Sequence, residues 1–305
     1  MAPARPPLRI AIAGGTGFLG SALRAHLAAA GHDAVPITRR ISGAGKDAIH
    51  WDPERGELHP RALEGFDAVV NLAGETIAQR WTDGAKRAIR ESRVRATDLL
   101  ARTIAPMERP PRTLINASAT GVYGDRGTEL LDDDSAAGTG FLAEVVQAWE
   151  RAADPAKRGD VRIVLLRTGL VLDQGGGALQ KMLTPFRFGL GGRIGSGEQL
   201  MSWISLRDWV RAVEFLHDHG QITGPVNLVA PTPVSNADFT AALGHALGRP
   251  TLVTVPESAV RLAFGEMGEA TLLASQRVIP RKLLGYGFTF EHEMIEPALR
   301  AAVGA

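Results

Sequence analysis

A doubly wound parallel α/β sheet (the α/β class) with a smaller C-terminal lobe is expected of this chain, on three grounds. Short apolar runs alternate with amphipathic helical stretches over residues 8–167. The runs lack the polar alternation of a sheet that is wet on one face. A glycine-rich turn joins the first run to the first helix.

The elements follow in order. Residues 8–13 (LRIAIA) read as a strand covered on both faces. From Phe18, the apolar positions Leu19, Ala22, Leu23, Leu27 and Ala28 recur at helical spacing until Gly31, which stands where a helix-terminating glycine would. Residues 33–38 (DAVPIT) and 67–73 (DAVVNLA) are further strands, and a long Lys/Arg-rich helix is expected from about Gly84 to Ile104. A strand at 113–119 (TLINASA), a helix over Phe141–Ala153 and a strand at 161–167 (VRIVLLR) extend the series. Beyond Thr168 the alternation weakens, and glycines at 175–177, 189, 191, 192, 195 and 197 mark a loop-rich segment expected on the substrate side, 175–205. Residues 226–230 (VNLVA) are expected to return to the sheet, and helices near Asn236–Leu247, Ala259–Phe264 and His292–Ala302 to form the smaller lobe. The expected division is 8–230 for the sheet domain and 231–305 for the C-terminal domain. The two are interleaved, since no repeat or low-complexity linker separates them.

Composition narrows the function. The 305 residues are 45% hydrophobic and 22% charged, which excludes wholesale disorder and collagen-like repeats. Lys and Arg number 34 against 33 Asp and Glu, so no electrostatic argument for a nucleic-acid partner arises. There is no Cys, hence no disulfide, thiol nucleophile or thiolate metal site. The start, Met1–Arg9, is Pro-rich and lacks the apolar stretch of a signal peptide. No run approaches the roughly 18 apolar residues of a membrane span. A soluble cytoplasmic protein is expected, with a small-molecule substrate, no membrane partner and a homo-oligomer left open. The eight His are scattered without the spacing of a metal site, and His217-x-His219 reads as a helix cap.

The turn Gly14-Gly-Thr16-Gly17-Phe18-Leu19-Gly20 carries the chemistry. Its first glycine permits a sharp turn, the second lets backbone N–H groups approach a pyrophosphate, and the third lets the helix pack closely on the strand. The helix N-terminus then offers unpaired donors and a positive dipole end to the phosphates. An NAD-specific site would place an acid at the end of the second strand. Here stand Thr38, Arg39 and Arg40, with no acid through Ser42, and Arg39 lies nineteen positions after Gly20. A guanidinium there suits a 2′-phosphate, so NADP(H) is the expected cofactor; the competing reading is a solvated surface arginine.

Gly14–Gly20, Asn71–Gly74 and Ser118–Gly124 (SATGVYG) resemble the extended short-chain dehydrogenase/reductases, the nucleotide-sugar epimerase superfamily. NLAGE (71–75), RWTDGAKRAIRESR (80–93), FLAEVVQAWE (141–150), LRTGLVLDQGGGAL (166–179), PFRFGLGGRIGSGEQ (185–199), SWISLRDWV (202–210) and VIPRKLLGYGF (278–288) are similar to an atypical subgroup, the epimerase family. Its members carry a short C-terminal domain of unknown function. The resemblance implies an NAD(P)-binding Rossmann fold in which Thr38 and Arg39 meet the 2′-phosphoribose. Leu72 and Ala73 pass beside the adenosine half, Arg93 is a cofactor contact, and Gly74 belongs to the same expected set. Ser118 completes the expected cofactor set. Arg93 also reads as one of a solvated basic helix face with Arg87, Arg90 and Arg95.

One departure stands out. The superfamily's Tyr-x-x-x-Lys pair puts a phenol and an ammonium on one helix face for proton transfer. The matching positions here are Phe141 and Val145. The polar groups left near that corner are Tyr123, Ser118 and Thr120, followed by Glu75 and Glu144. Tyr123 is expected either to donate a proton in place of the lost phenol or to pack by its ring. Two readings follow: an NADP(H)-dependent oxidoreductase or epimerase-like enzyme, and a non-catalytic NADP(H)-binding or sensing protein.

Overall fold

The computed structural model describes residues 6–40 and 48–304. Residues 1–5 of the Pro-rich start, together with Ile41 and Ser42 of the acid-free stretch, lie outside them.

Seven parallel strands form the central sheet: β1 (Arg9–Ala13), β2 (Asp33–Thr38), β3 (Ile49–His50), β4 (Ala68–Asn71), β5 (Thr113–Ala119), β6 (Arg162–Thr168) and β7 (Gly224–Leu228). Their order is β3-β2-β1-β4-β5-β6-β7, so the winding reverses at β1, between β2 and β4. Open α/β sheets bind ligands at such a reversal, beyond the carboxyl ends of the strands. Helices α1 (Phe18–Ala29), α2 (Asp83–Ile104), α3 (Phe141–Arg151), α4 (Gly177–Arg187), α5 (Leu206–Asp218), α6 (Asn236–Leu247), α7 (Glu257–Phe264) and α8 (Ile295–Val303) cover the sheet and build the second lobe.

Both faces of the sheet are buried, which is why its strands read as continuous apolar runs. Alternate residues point to opposite sides. Ile10, Ile12, Val70, Ile115 and Val164 pack on Leu23 and Leu27 of α1 and on Trp209 and Val213 of α5. Ala11, Ala13, Val35, Val69, Leu114 and Ile163 pack on Leu100, Ala101 and Ile104 of α2. Helix α1 stops as the sequence indicates: Gly31 has φ +84°, and it and His32 donate back to Ala28 and Leu27. Helix α5 ends at His219, whose Nδ1 lies 2.8 Å from the Phe215 carbonyl oxygen.

A third apolar cluster joins Leu172, Leu179, Leu183 and Trp203 to Phe239, Leu243, Ile295 and Leu299, binding α4, α6 and α8 into the second lobe. The chain then crosses back. Arg277–Val278 pairs with Leu130–Leu131, and Leu283, Phe288 and Phe290 join the α1/α5 face of the sheet. Two buried carboxylates pin this return. Asp133 accepts from the backbone N–H groups of Asn227 and Lys282, and Asp208 from those of Glu291 and His292. No helix among the described residues is long and apolar enough to cross a membrane.

Candidate functional site

The β1–α1 turn is shaped by contacts that only glycine allows. At Gly14, φ is +75°, and a Cβ there would lie 2.8 Å from the Leu72 carbonyl. The turn therefore touches the chain as it leaves β4. At Gly20, a Cβ would lie 2.2 Å from the Gly14 oxygen, so any side chain would push α1 off the turn. Gly17 donates to the Gly14 oxygen at 3.0 Å and begins α1 with no side-chain cap. The first-turn N–H groups of Phe18 and Leu19, beside exposed Thr16 and Gly17, have no partner within the helix, an arrangement suited to an anion.

The Phe18 side chain has a second role that the sequence did not suggest. Its ring is covered by the start of α4, where a Cβ on Gly176 would come within 2.4 Å of it. Gly176 and Gly177 are thus a flat seat for Phe18, and they fix the loop-rich segment against the turn.

At the end of β2, the Thr38 hydroxyl accepts from the Arg40 N–H at 3.2 Å, holding the strand end in a tight bend. Arg39 is exposed, and its guanidinium lies 3.9 Å from Glu54, an acid from the following loop. Local sequence could not reveal this neighbour. At the end of β4, Leu72 donates to Ala13, and Ala73 donates to the Asn71 side chain. That side chain is held in turn by Thr97 and Asn116.

Gly74 is backed by Arg93, whose guanidinium donates to the carbonyls of Glu75 (2.8 Å) and Ile89 (3.0 Å) and stacks over Trp149. Burial pulls its pKa down to about 10, with the Glu75 carboxylate opposing, so it stays cationic at neutral pH. The fold thus brings Gly14, Leu72, Ala73, Gly74 and Arg93 together at the reversal of the sheet. Thr38 and Arg39 stand at the neighbouring strand end.

The corner beyond β5 and β6 is different. Glu150 of α3 and Arg167 of β6 form a buried bidentate pair, at 2.9 and 3.0 Å. Ser118 donates to the same carboxylate at 2.6 Å. Arg167 also donates to the Tyr123 oxygen at 3.1 Å, and the phenol faces two acceptors, the Asn227 side chain (2.7 Å) and the Asp132 carbonyl (2.8 Å). Burial alone would lower the Arg167 pKa, but Glu150 and Tyr123 more than reverse this and hold it above the usual arginine value. Burial raises Tyr123, against the pull of Arg167.

The proton-donor role expected for Tyr123 therefore meets an obstacle. Its side chain is 0% exposed, and its hydroxyl is committed on every side. Ser118 is likewise committed to Glu150. Thr120, 8% exposed in the turn that follows β5, is the one hydroxyl of the three that makes no hydrogen bond. Phe141 opens α3 with its ring 4.9 Å from that of Trp81 in an edge contact, and Val145 is buried. Glu75 and Glu144 are exposed.

The Glu150–Arg167 pair escaped the sequence reading. Its one signal was Arg167 directly after the apolar centre of a strand, RIVLLRT. Among the described residues, no group of three or more His, Asp and Glu side chains is placed to hold a metal ion.

Residues 10–228 match the model of the NAD dependent epimerase/dehydratase family, and residues 255–302 match a domain of unknown function, DUF1731. An epimerase family protein of Mycobacterium bovis, Mb2239, is 48% identical over 291 residues, covering 95% of this chain and 96% of its own. The human epimerase family protein SDR39U1 is 38% identical over 97% of this chain and all of its own. The crystal structure of its isoform 2 with NADPH superposes with TM-score 0.89 at 35% identity, covering 97% of this chain and 99% of that one. A nucleoside-diphosphate sugar epimerase from Corynebacterium glutamicum superposes with TM-score 0.82 at 36% identity, covering 98% of this chain and 59% of that one. A UDP-glucose 4-epimerase from Thermus thermophilus, at 17% identity and TM-score 0.73, shares the fold.

Proposed function

Because the chain belongs to the NAD dependent epimerase/dehydratase family, we propose that it binds NADP(H) at the reversal of its sheet and catalyses hydride transfer on a small carbonyl or alcohol. The observation that carries this reading is the turn itself. Gly14 lies so close to Leu72 that one atom more would break the contact, and α1 points its uncapped N-terminus into the crevice so formed. That cradle fits a pyrophosphate, and Arg39 beside Thr38 fits the charge of a 2′-phosphate. The human relative crystallised with NADPH supports the same assignment.

Bound NADPH would supply a hydride to the substrate carbon. The remaining work falls to the protein. Leu72, Ala73 and Gly74, backed by Arg93, form the wall beside the adenosine half. Ser118 and Tyr123 hold the wall between β5 and α3 through Glu150 and Arg167. Thr120 is the hydroxyl available to hold the substrate oxygen and pass it a proton drawn from solvent. The superfamily uses a phenol at the place of Phe141 for proton transfer in reduction and epimerisation alike, so either needs a hydroxyl from elsewhere; a single reduction or oxidation is the activity proposed.

The test is a titration with NADPH and with NADH, followed by nicotinamide fluorescence, on wild type and Arg39→Ala. Wild type should prefer NADPH, and the variant should lose roughly tenfold or more in NADPH affinity while leaving NADH unchanged. Equal binding of both cofactors by wild type would overturn the role of Arg39. Binding of neither would overturn the cofactor assignment.

A further inference from the structure

The corner that lacks the superfamily's phenol and ammonium has an ammonium from elsewhere. Lys86 stands one turn into α2, just after the loop that carries the chain away from the carboxyl end of β4. Its Nζ lies 5.1 Å from the centre of the Phe141 ring, and Trp81 meets the same ring edge-on. Only 28% of the Lys86 side chain is exposed. An aromatic face attracts a cation without neutralising it, and partial desolvation strengthens the charge felt by any anion that approaches.

Among the described residues the ammonium has one ion-pair partner, Glu266, which reaches over from the second lobe and is about half exposed. Glu266 opens a short helical turn directly after Gly265, whose φ of +57° suits glycine. The contact therefore bridges the two lobes beside the Phe141 ring. A second ammonium, Lys181 of α4, lies 3.4 Å from the Ala78 carbonyl oxygen in the loop before α2.

We propose that Lys86 is the residue that receives the substrate, that the substrate carries a carboxylate, and that Glu266 is a built-in competitor for the same ammonium. This rests on the hydride-transfer site proposed above and adds the substrate's chemical class. A strut between the lobes would make the same Lys86–Glu266 contact, and the variants below separate the two roles. Here the cation is seated on Phe141, the residue that replaces the lost phenol, and the i, i+4 position where the superfamily has its lysine is the buried apolar Val145. A carboxylate that displaces Glu266 would gain a charge-assisted hydrogen bond from Lys86. The free energy of the Lys86–Glu266 pair sets how strongly the protein resists that exchange.

The two partners of the pair therefore have opposite effects on binding, and this makes the test sharp. The NADPH-loaded protein is titrated with succinate as the probe carboxylate and with 1,4-butanediol as the neutral control, by calorimetry and by the fluorescence of the bound nicotinamide. Succinate should bind and butanediol should not. Lys86→Met should weaken succinate roughly tenfold or more, and Lys86→Arg should restore part of it. Glu266→Gln should tighten it about two- to fivefold, the range expected for removing an exposed ionic competitor. Weakening by both Lys86→Met and Glu266→Gln, no effect of either, or equal binding of the diol would overturn the proposal and leave the pair as a strut. NADPH affinity, measured in the same variants, should not change. Failure of wild type to hold NADPH strikes the cofactor assignment instead, and the two failures are distinguishable.

Discussion

The two sides of the crevice are built from different materials. Where β1 meets β4, the site is backbone: Gly14 against the Leu72 carbonyl, Gly20 against the Gly14 oxygen, and the open N–H groups of α1. Where β5 meets β6, it is side chain: Ser118, Glu150, Arg167, Tyr123, Asn227 and Asp133 are linked into one buried network. The difference teaches where chemistry can still happen. A backbone site presents its donors to a ligand by construction. A polar side chain is available only if the fold has not already given it a partner, and in this corner Thr120 is the hydroxyl without one.

The contrast can be broken most forcefully at Arg167. Changing Arg167→Met leaves Glu150 buried without its cation, so unfolding in urea should show a loss of about 3–5 kcal/mol. The double variant Glu150→Gln with Arg167→Met should recover part of it. A loss below about 1 kcal/mol would mean that the network is solvated in solution. On the backbone side, Gly20→Ala should cost roughly 1–3 kcal/mol through overpacking, with loss of NADPH binding. Unaltered binding in that variant would mean that the turn can spread by more than 1 Å without consequence.

Tyr123→Phe and Thr120→Val should separate in kind. The first removes a hydroxyl with three neighbours and should lower stability by about 1–3 kcal/mol while leaving turnover intact. The second should leave the melting temperature nearly unchanged and lower kcat. If Tyr123→Phe abolished turnover at full stability, the phenol would be a proton donor after all.

The smallest effect is one of pH. Burial raises the Asp133 carboxyl above its ordinary value of 3.8, against the opposing backbone N–H groups of Asn227 and Lys282. A carboxyl raised on folding binds its proton more tightly in the native state. Its contribution to stability is fully present below about 3.8 and is lost as the pH rises through the raised native value. Asp133→Asn removes this dependence, so its stability relative to wild type should grow as the pH rises upward from 3.8. A constant difference across that range would show that Asp133 does not titrate as its burial requires.

Much of the fold was legible because its signals are local. The runs at 8–13, 33–38, 113–119 and 161–167 are apolar throughout because both faces of a parallel sheet are covered, and each became a strand within a residue or two. Gly31 closed α1, and residues 226–230 returned to the sheet edge as β7, with its last two residues beyond the ladder. The glycine turn was legible for a related reason, since glycine is required by backbone approach whatever side chains surround it. The candidate proton donors were less legible. Tyr123, Ser118 and Thr120 are similar in sequence as hydroxyls after a strand. Arg167 and Glu150, forty-four and twenty-seven positions from Tyr123 along the chain, decide which of them is free.

By itself the amino-acid sequence determined the winding of the sheet, the glycine turn and the cationic end of β2, because period, backbone freedom and charge are properties of short stretches. Only the tertiary structure decided the rest. Phe18 is seated on Gly176, Glu54 faces Arg39, residues 277–290 recross to the first lobe, Tyr123 is locked inside, and Lys86 lies over Phe141 under Glu266. The physical reason is common to all five. Hydrogen bonds, ion pairs and ring contacts act over a few ångströms of space, and no sequence interval encodes which distant residue will fill that space.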